Sequence, residues 1–149
     1  MFRVRVERFI NKDIDAVFSA ISDHEAYRRY RGVDTAVLME AGKPDKNGLG
    51  ALRKLGSGSI QMVERITHFE PPTRMCYHIE QSKPIFIDHS KGEITLQAEG
   101  DGTRVAWESQ GYMKVPLVGA LIDKLSEKRI SSLFGAILKG VDERLNKPI

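Results

Sequence analysis

Glu64, Tyr77, His89 and Ser109 are of types suited to moving protons, yet they form no established catalytic motif. Glu64 shares its parity with Ile60, Met62 and Ile66, so its carboxylate is expected either to be paired or to sit near the mouth of a pocket. Arg53, across the Gly56-Ser-Gly-Ser59 reversal, is the expected partner, and a structural ion pair is preferred to catalysis. His89 follows Asp88 and is retained as a proton-transfer group, although its parity opposes that of Ile94 and argues against an inward position. His24, His68, His78 and His89 lie in different segments without metal-ligand spacing, and Cys76 is the sole cysteine. No metal and no cofactor are expected, and each histidine reads first as a surface or turn residue. Gly48-Leu-Gly50-Ala-Leu-Arg53 lacks a third glycine and leads into a strand, so it fails as a dinucleotide fingerprint. No Gly-x-Ser-x-Gly elbow or usefully spaced Cys-His pair occurs. Tyr27-Arg-Arg-Tyr30-Arg31 could hold phosphates and stack bases, or meet an anionic lipid surface; a solvated helix face is the simpler reading.

Regular elements must position these groups. Phe2 to Ile10 alternates as a half-buried strand, and Asn11-Lys-Asp13 signals the start of a helix carrying Ile14, Val17, Phe18 and Ile21. A second short helix spans Glu25 to Tyr30 and stops at Gly32. Strands follow at Val33–Glu40, Gly50–Leu55, Ile60–Phe69, Arg74–Glu80, Ser90–Ala98 and Thr103–Met113, with a hairpin at Gly100-Asp-Gly102. Ser82 to His89 has no clear period. From Val118 to Leu145 an apolar stripe recurs at helical spacing, predicting a helix of about 30 residues with Pro116 in its first turn and Pro148 beyond its end. The order is one strand, two short helices, six strands and one long helix. A single long helix covers one face of an antiparallel sheet most economically if the sheet curves around it.

The composition agrees with a globular chain. Hydrophobic residues make up 41% and net charge is only +3, which argues against intrinsic disorder. No apolar run reaches the roughly 20 residues of a membrane span, and the alternating N-terminus does not resemble a secretory signal. The expectation is one domain over residues 1–149, in the cytoplasm. Three excess cations spread over the chain suit a solvated surface, so nucleic acid is not an expected partner. Nothing here specifies an oligomeric state.

Val4-Arg-Val-Glu-Arg-Phe-Ile10, Ala16-Val-Phe-Ser-Ala-Ile-Ser-Asp23 with Tyr27, Gly48 to Arg53, Glu64-Arg-Ile-Thr67 with Pro71-Pro72, Gly102-Thr-Arg-Val-Ala-Trp107 and the final helix share an order and spacing. In these the chain resembles the START/Bet v 1-like (SRPBCC) superfamily, within it the polyketide cyclase/dehydrase and lipid-transport group. The resemblance implies an α+β helix-grip fold: a curved antiparallel sheet of about seven strands around a long C-terminal helix, enclosing a hydrophobic cavity. It also implies that the Gly48 segment is a loop at the cavity rim. Strand parity and the helix stripe supply an expected lining of Leu52, Met62, Met75, Tyr77, Ile79, Ile94, Leu96, Val105, Trp107, Ser109, Leu121 and Leu125, with Ala98 on the same parity. Ordinary core packing explains any one of these; together they suit a pocket with a few polar handles. Binding or transport of a hydrophobic small molecule (a lipid, isoprenoid or aromatic polyketide-like compound) ranks first. A cyclase or dehydratase using Glu64, Tyr77, Ser109 or His89 ranks second. A module contacting RNA, a membrane transiently, or a protein through the Arg-rich segment ranks third.

Overall fold

The computed structural model describes residues 1–147. In β1 (Phe2–Ile10) Phe2, Val4 and Ile10 are buried while Arg3 and Arg5 face water, as the alternation requires. Asp13 caps α1 (Ile14–Ser22), its Oδ2 accepting the Ala16 N–H at 3.2 Å, and α1 buries Val17, Phe18 and Ile21. A 3-10 helix (His24–Arg29) follows, and Gly32 turns the chain at φ +90°, a left-handed conformation that favours glycine. Six strands come next: β2 (Thr35–Glu40), β3 (Leu52–Ser57), β4 (Ile60–Glu70), β5 (Arg74–Lys83), β6 (Ile87–Glu99) and β7 (Gly102–Met113). They form with β1 one antiparallel sheet in the order β1-β7-β6-β5-β4-β3-β2. The final helix α2 (Gly119–Leu145) has 27 residues.

The segment without a clear period, Ser82 to His89, holds the end of β5, the start of β6 and, between them, a turn. Ser82 closes it by donating from Oγ to the Ile85 carbonyl at 2.7 Å and accepting the Ile87 N–H at 2.9 Å. Pro116 lies before α2, in a turn where the Val118 N–H reaches the Pro116 carbonyl at 2.8 Å, and does not enter the first helical turn. The expected position of Pro148 falls outside the described residues.

Two features set the geometry of the interior. The first is the docking of α2, which packs chiefly on β1, with β7 and α1 behind. Asp123 ties its first turns to the sheet: one carboxylate oxygen meets the Met1 ammonium at 2.9 Å and the other accepts the Met113 N–H at 2.7 Å. Phe134, Ile137, Leu138 and Val141 are buried on its inner side, Phe134 against Trp107 of β7. The second is a break between β5 and β6, which pair only from Arg74–Cys76 to Glu93–Thr95. Beyond that point β6 carries a bulge between His89 and Lys91, which reverses the side-chain alternation on its N-terminal side.

Candidate functional site

A polar cluster lies inside the grip between sheet and helix. Arg53 and Glu64 face each other across β3 and β4, with Nε to Oε1 at 3.1 Å, and are 2% and 3% exposed. The Arg53 guanidinium sits 5.9 Å from the Tyr27 ring centroid and 5.6 Å from that of Tyr77. Burial pushes the Glu64 carboxyl above the ordinary carboxylate range, with Arg53 pulling in the opposite direction. Burial likewise raises both tyrosines, so they serve as neutral phenols. The Tyr27 hydroxyl donates to the Ile21 carbonyl at 2.5 Å, which fixes the ring against α1.

Beside this pair runs a second chain of polar contacts. The Trp107 indole N–H donates to the Tyr77 hydroxyl at 2.8 Å, while Trp107 stacks on Phe134 with ring centroids 4.1 Å apart. His89 is buried, its ring stacked on Tyr77, with Nε2 3.1 Å from Ser109 Oγ. Its Nδ1 accepts the Ile79 N–H at 3.1 Å, so a neutral ring carries its proton on Nε2 and donates to Ser109. His89 thereby satisfies a β5 backbone donor that the break in the β5–β6 ladder leaves without a strand partner. Burial and the nearby His78 lower its pKa to about 4.

The structure corrects several expectations. The β6 bulge turns His89 inward, against its simple parity with Ile94. Gly92 carried a signal for this: an added Cβ would lie 2.7 Å from His89 Cε1 and from Tyr77 Cε2, so only glycine admits both rings. His24 is also buried, not a surface residue; its Nε2 bonds the Lys54 carbonyl at 3.1 Å. Burial, then the charge of Arg53, depresses the His24 pKa to about 3. Leu52 lies on the outer face, because the inward place belongs to Arg53 and period 2 sends its neighbour outward, opposite Arg65. Leu121 and Leu125 are each 59% exposed. They stand two residues either side of Asp123, about 200° around the helix and so nearly opposite the anchored face. Ala98 is exposed at the hairpin. Tyr27 and Tyr30 are buried, which leaves no exposed aromatic ring in the Arg-rich segment for base stacking.

The remaining lining candidates come together on the inner face. Met75, Ile94 and Val105 are 0% exposed, Leu96, Ile79, Tyr77, Trp107 and Ser109 are buried, and Met62 is half-buried. Full burial means that no water-sized void adjoins Met75, Ile94 or Val105. In this conformation side chains fill the space against them. Two polar atoms in the same region lack partners, Arg53 Nη1 and His24 Nδ1. Among the described residues no three His, Cys, Asp or Glu side chains converge as a metal site, and no helix is long and apolar enough to cross a membrane.

An antiparallel sheet gripping one long helix defines the helix-grip class, and sequence comparison carries this further. Residues 1–146 match the polyketide cyclase / dehydrase and lipid transport family, and the chain belongs to it. Among solved structures it is similar to a protein of Thermus thermophilus at 21% identity and TM-score 0.78, covering 95% of both chains. A START superfamily protein of Mycobacterium smegmatis is 15% identical with TM-score 0.76, covering 98% of this chain and 100% of that one. The Zhui aromatase/cyclase of a Streptomyces species is 12% identical with TM-score 0.73, covering 97% and 96%. At these identities the likeness is one of fold. No functionally curated protein sequence matches the chain.

Proposed function

We propose that the protein binds a small, largely apolar molecule between the sheet and α2, with a polar end of the ligand at Arg53 and His24. The observation that carries this reading is the pair of unpartnered buried atoms, Arg53 Nη1 and His24 Nδ1. A buried polar atom without a partner costs about 1–3 kcal/mol, more when charged. The two are complementary in kind. Arg53 Nη1 can only donate, and neutral His24, whose Nε2 proton goes to the Lys54 carbonyl, can only accept at Nδ1. A polar ligand end would supply an acceptor to the first and a donor to the second. The apolar remainder would lie among Tyr77, Trp107, Ile94 and Phe134, with Phe134 giving up its stack on Trp107 as α2 moves outward. Membership of a family that includes lipid-transport proteins supports the same reading.

Trp107 is the only tryptophan, so its fluorescence reports on this space. Titration with oleic acid and with an aromatic probe such as anilinonaphthalene sulfonate is expected to give a saturable change in emission. Native mass spectra of gently purified protein should show bound mass that denaturation removes. Absence of both, with the protein folded, would end the proposal. A catalytic reading draws on the His89–Ser109–Tyr77 arrangement. However, a base of pKa about 4 is poorly matched to proton abstraction near neutrality, and His89 has a backbone partner to satisfy. If His89→Ala abolished a measured cyclisation or dehydration while ligand affinity held, the enzymatic reading would displace simple binding.

A further inference from the structure

A second region has the makings of a site on the outside of the grip. Arg31, just after the 3-10 helix, and Lys128 and Arg129 on α2 line one open groove of about 330 Å³, together with Ser57, Ser132, Gly32, Leu133 and Ala136. Three remote segments supply the polar groups. Lys128 and Ser132 are one helical turn apart on α2, Ser57 comes from the end of β3, and Arg31 enters from the loop behind Gly32. An added Cβ on Gly32 would meet Leu133 Cδ1 at 3.4 Å, so this loop lies directly against the helix.

The groove contains no acid, and among the described residues its three cations form no ion pair. Of the acids on the flanking elements, Asp23 meets Arg144, Asp142 meets Arg8, Glu143 meets Lys139 and Glu127 accepts the Arg3 N–H, while Asp34, at the edge of the groove, accepts the Gly58 N–H. Neighbouring cations repel one another unless an anion lies between them. A groove of this volume corresponds to about ten waters, room for a tetrahedral oxyanion and several further atoms. Two guanidinium forks, an ammonium and two hydroxyls offer more donors than the two oxygens of a carboxylate can use, and they suit the oxygens of a phosphate. Leu133 and Ala136 provide apolar surface for the carbon portion of the ligand.

We propose that this groove binds the phosphate group of a phosphorylated ligand, either a soluble phosphate ester or a phospholipid head group. The inference rests on the groove alone and stands whether or not the interior takes a ligand.

Calorimetric titration of the full chain with glycerol phosphate tests the soluble source, and co-sedimentation with phosphatidylcholine vesicles, with and without phosphatidic acid, tests the lipid source. Arg129→Gln and Lys128→Gln should each weaken binding about tenfold, the usual scale for a hydrogen bond between charged groups. Lys139→Gln, outside the groove and paired with Glu143, should leave it unchanged. These side chains are exposed, so circular dichroism should confirm an unaltered fold in every variant. Binding to the soluble ester that these variants weaken supports the proposal for a free ligand. Binding only to vesicles containing phosphatidic acid, weakened in the same way, supports it for a lipid surface. The proposal is overturned if neither probe binds, if the Lys128→Gln/Arg129→Gln double variant binds as tightly as the parent, or if acetate competes as well as phosphate.

Discussion

Lowering the pH from 7 to 5 should strip the protein of about 4 kcal/mol of stability through two buried histidines, His24 and His89. Both are neutral in the fold, with pKa values of about 3 and about 4 against an ordinary 6.5. Below pH 6.5 the unfolded chain takes up a proton at each position while the folded chain does not. The unfolded state therefore binds more protons, and stability falls as pH falls, until each folded pKa is reached. At pH 5 each histidine contributes roughly 2 kcal/mol of loss, a large part of the 5–15 kcal/mol typical of a domain. For His89 the contacts explain the resistance: a proton on Nδ1 would confront the Ile79 N–H that now donates to it. Glu64 acts in the opposite sense, since its raised pKa lets the fold hold a proton that the unfolded chain has released. Glu99 and Glu108, both lowered, matter only below their ordinary value of 4.5. Urea unfolding across this range, for the parent, His24→Gln, His89→Gln and the double variant, isolates the histidine contribution as a difference in slope. NMR titration of the ring protons should show both histidines unprotonated at pH 5. Parallel pH profiles for the parent and the double variant, or ring titration near 6.5, would refute the reasoning.

Other variants probe the interior and its covering helix. Gly92→Ala drives a methyl group into His89, Tyr77 and the Tyr77 carbonyl at 2.7 Å, and should cost about 1–3 kcal/mol in urea unfolding. Glu64→Leu alone strands a buried guanidinium and should cost about 3–5 kcal/mol, whereas Arg53→Met/Glu64→Leu should recover most of that loss in a double-mutant cycle. Phe134→Ala removes the ring stacked on Trp107; unfolding experiments should show a loss of about 3–5 kcal/mol, and Trp107 emission should shift toward that of a more exposed indole. Leu125→Ser, on the solvent side of α2, should change stability by no more than about 0.5 kcal/mol.

Local chemistry alone determined much of this protein. Alternation in Thr103 to Met113 assigned Val105, Trp107 and Ser109 to the inner face, because successive residues of a strand must point to opposite sides. The Asp13 cap, the hairpin at Gly100 to Gly102 and the change of period near Val118 likewise depend on neighbours along the chain. So did the pairing of Glu64 with Arg53, since a carboxylate on an apolar parity needs a nearby cation. Tertiary structure decided what neighbours cannot specify. One inserted residue in β6 turned His89 inward, and Gly92 hinted at an irregularity without giving its direction. The rotation of α2 is seen only in its packing, which buries Asp123, Phe134, Ile137, Leu138 and Val141 and leaves Leu121 and Leu125 in solvent. The gathering of Arg31, Lys128 and Arg129 has the same origin. Periodicity tells which residues share a face, but only the packing of one element on another tells what that face meets.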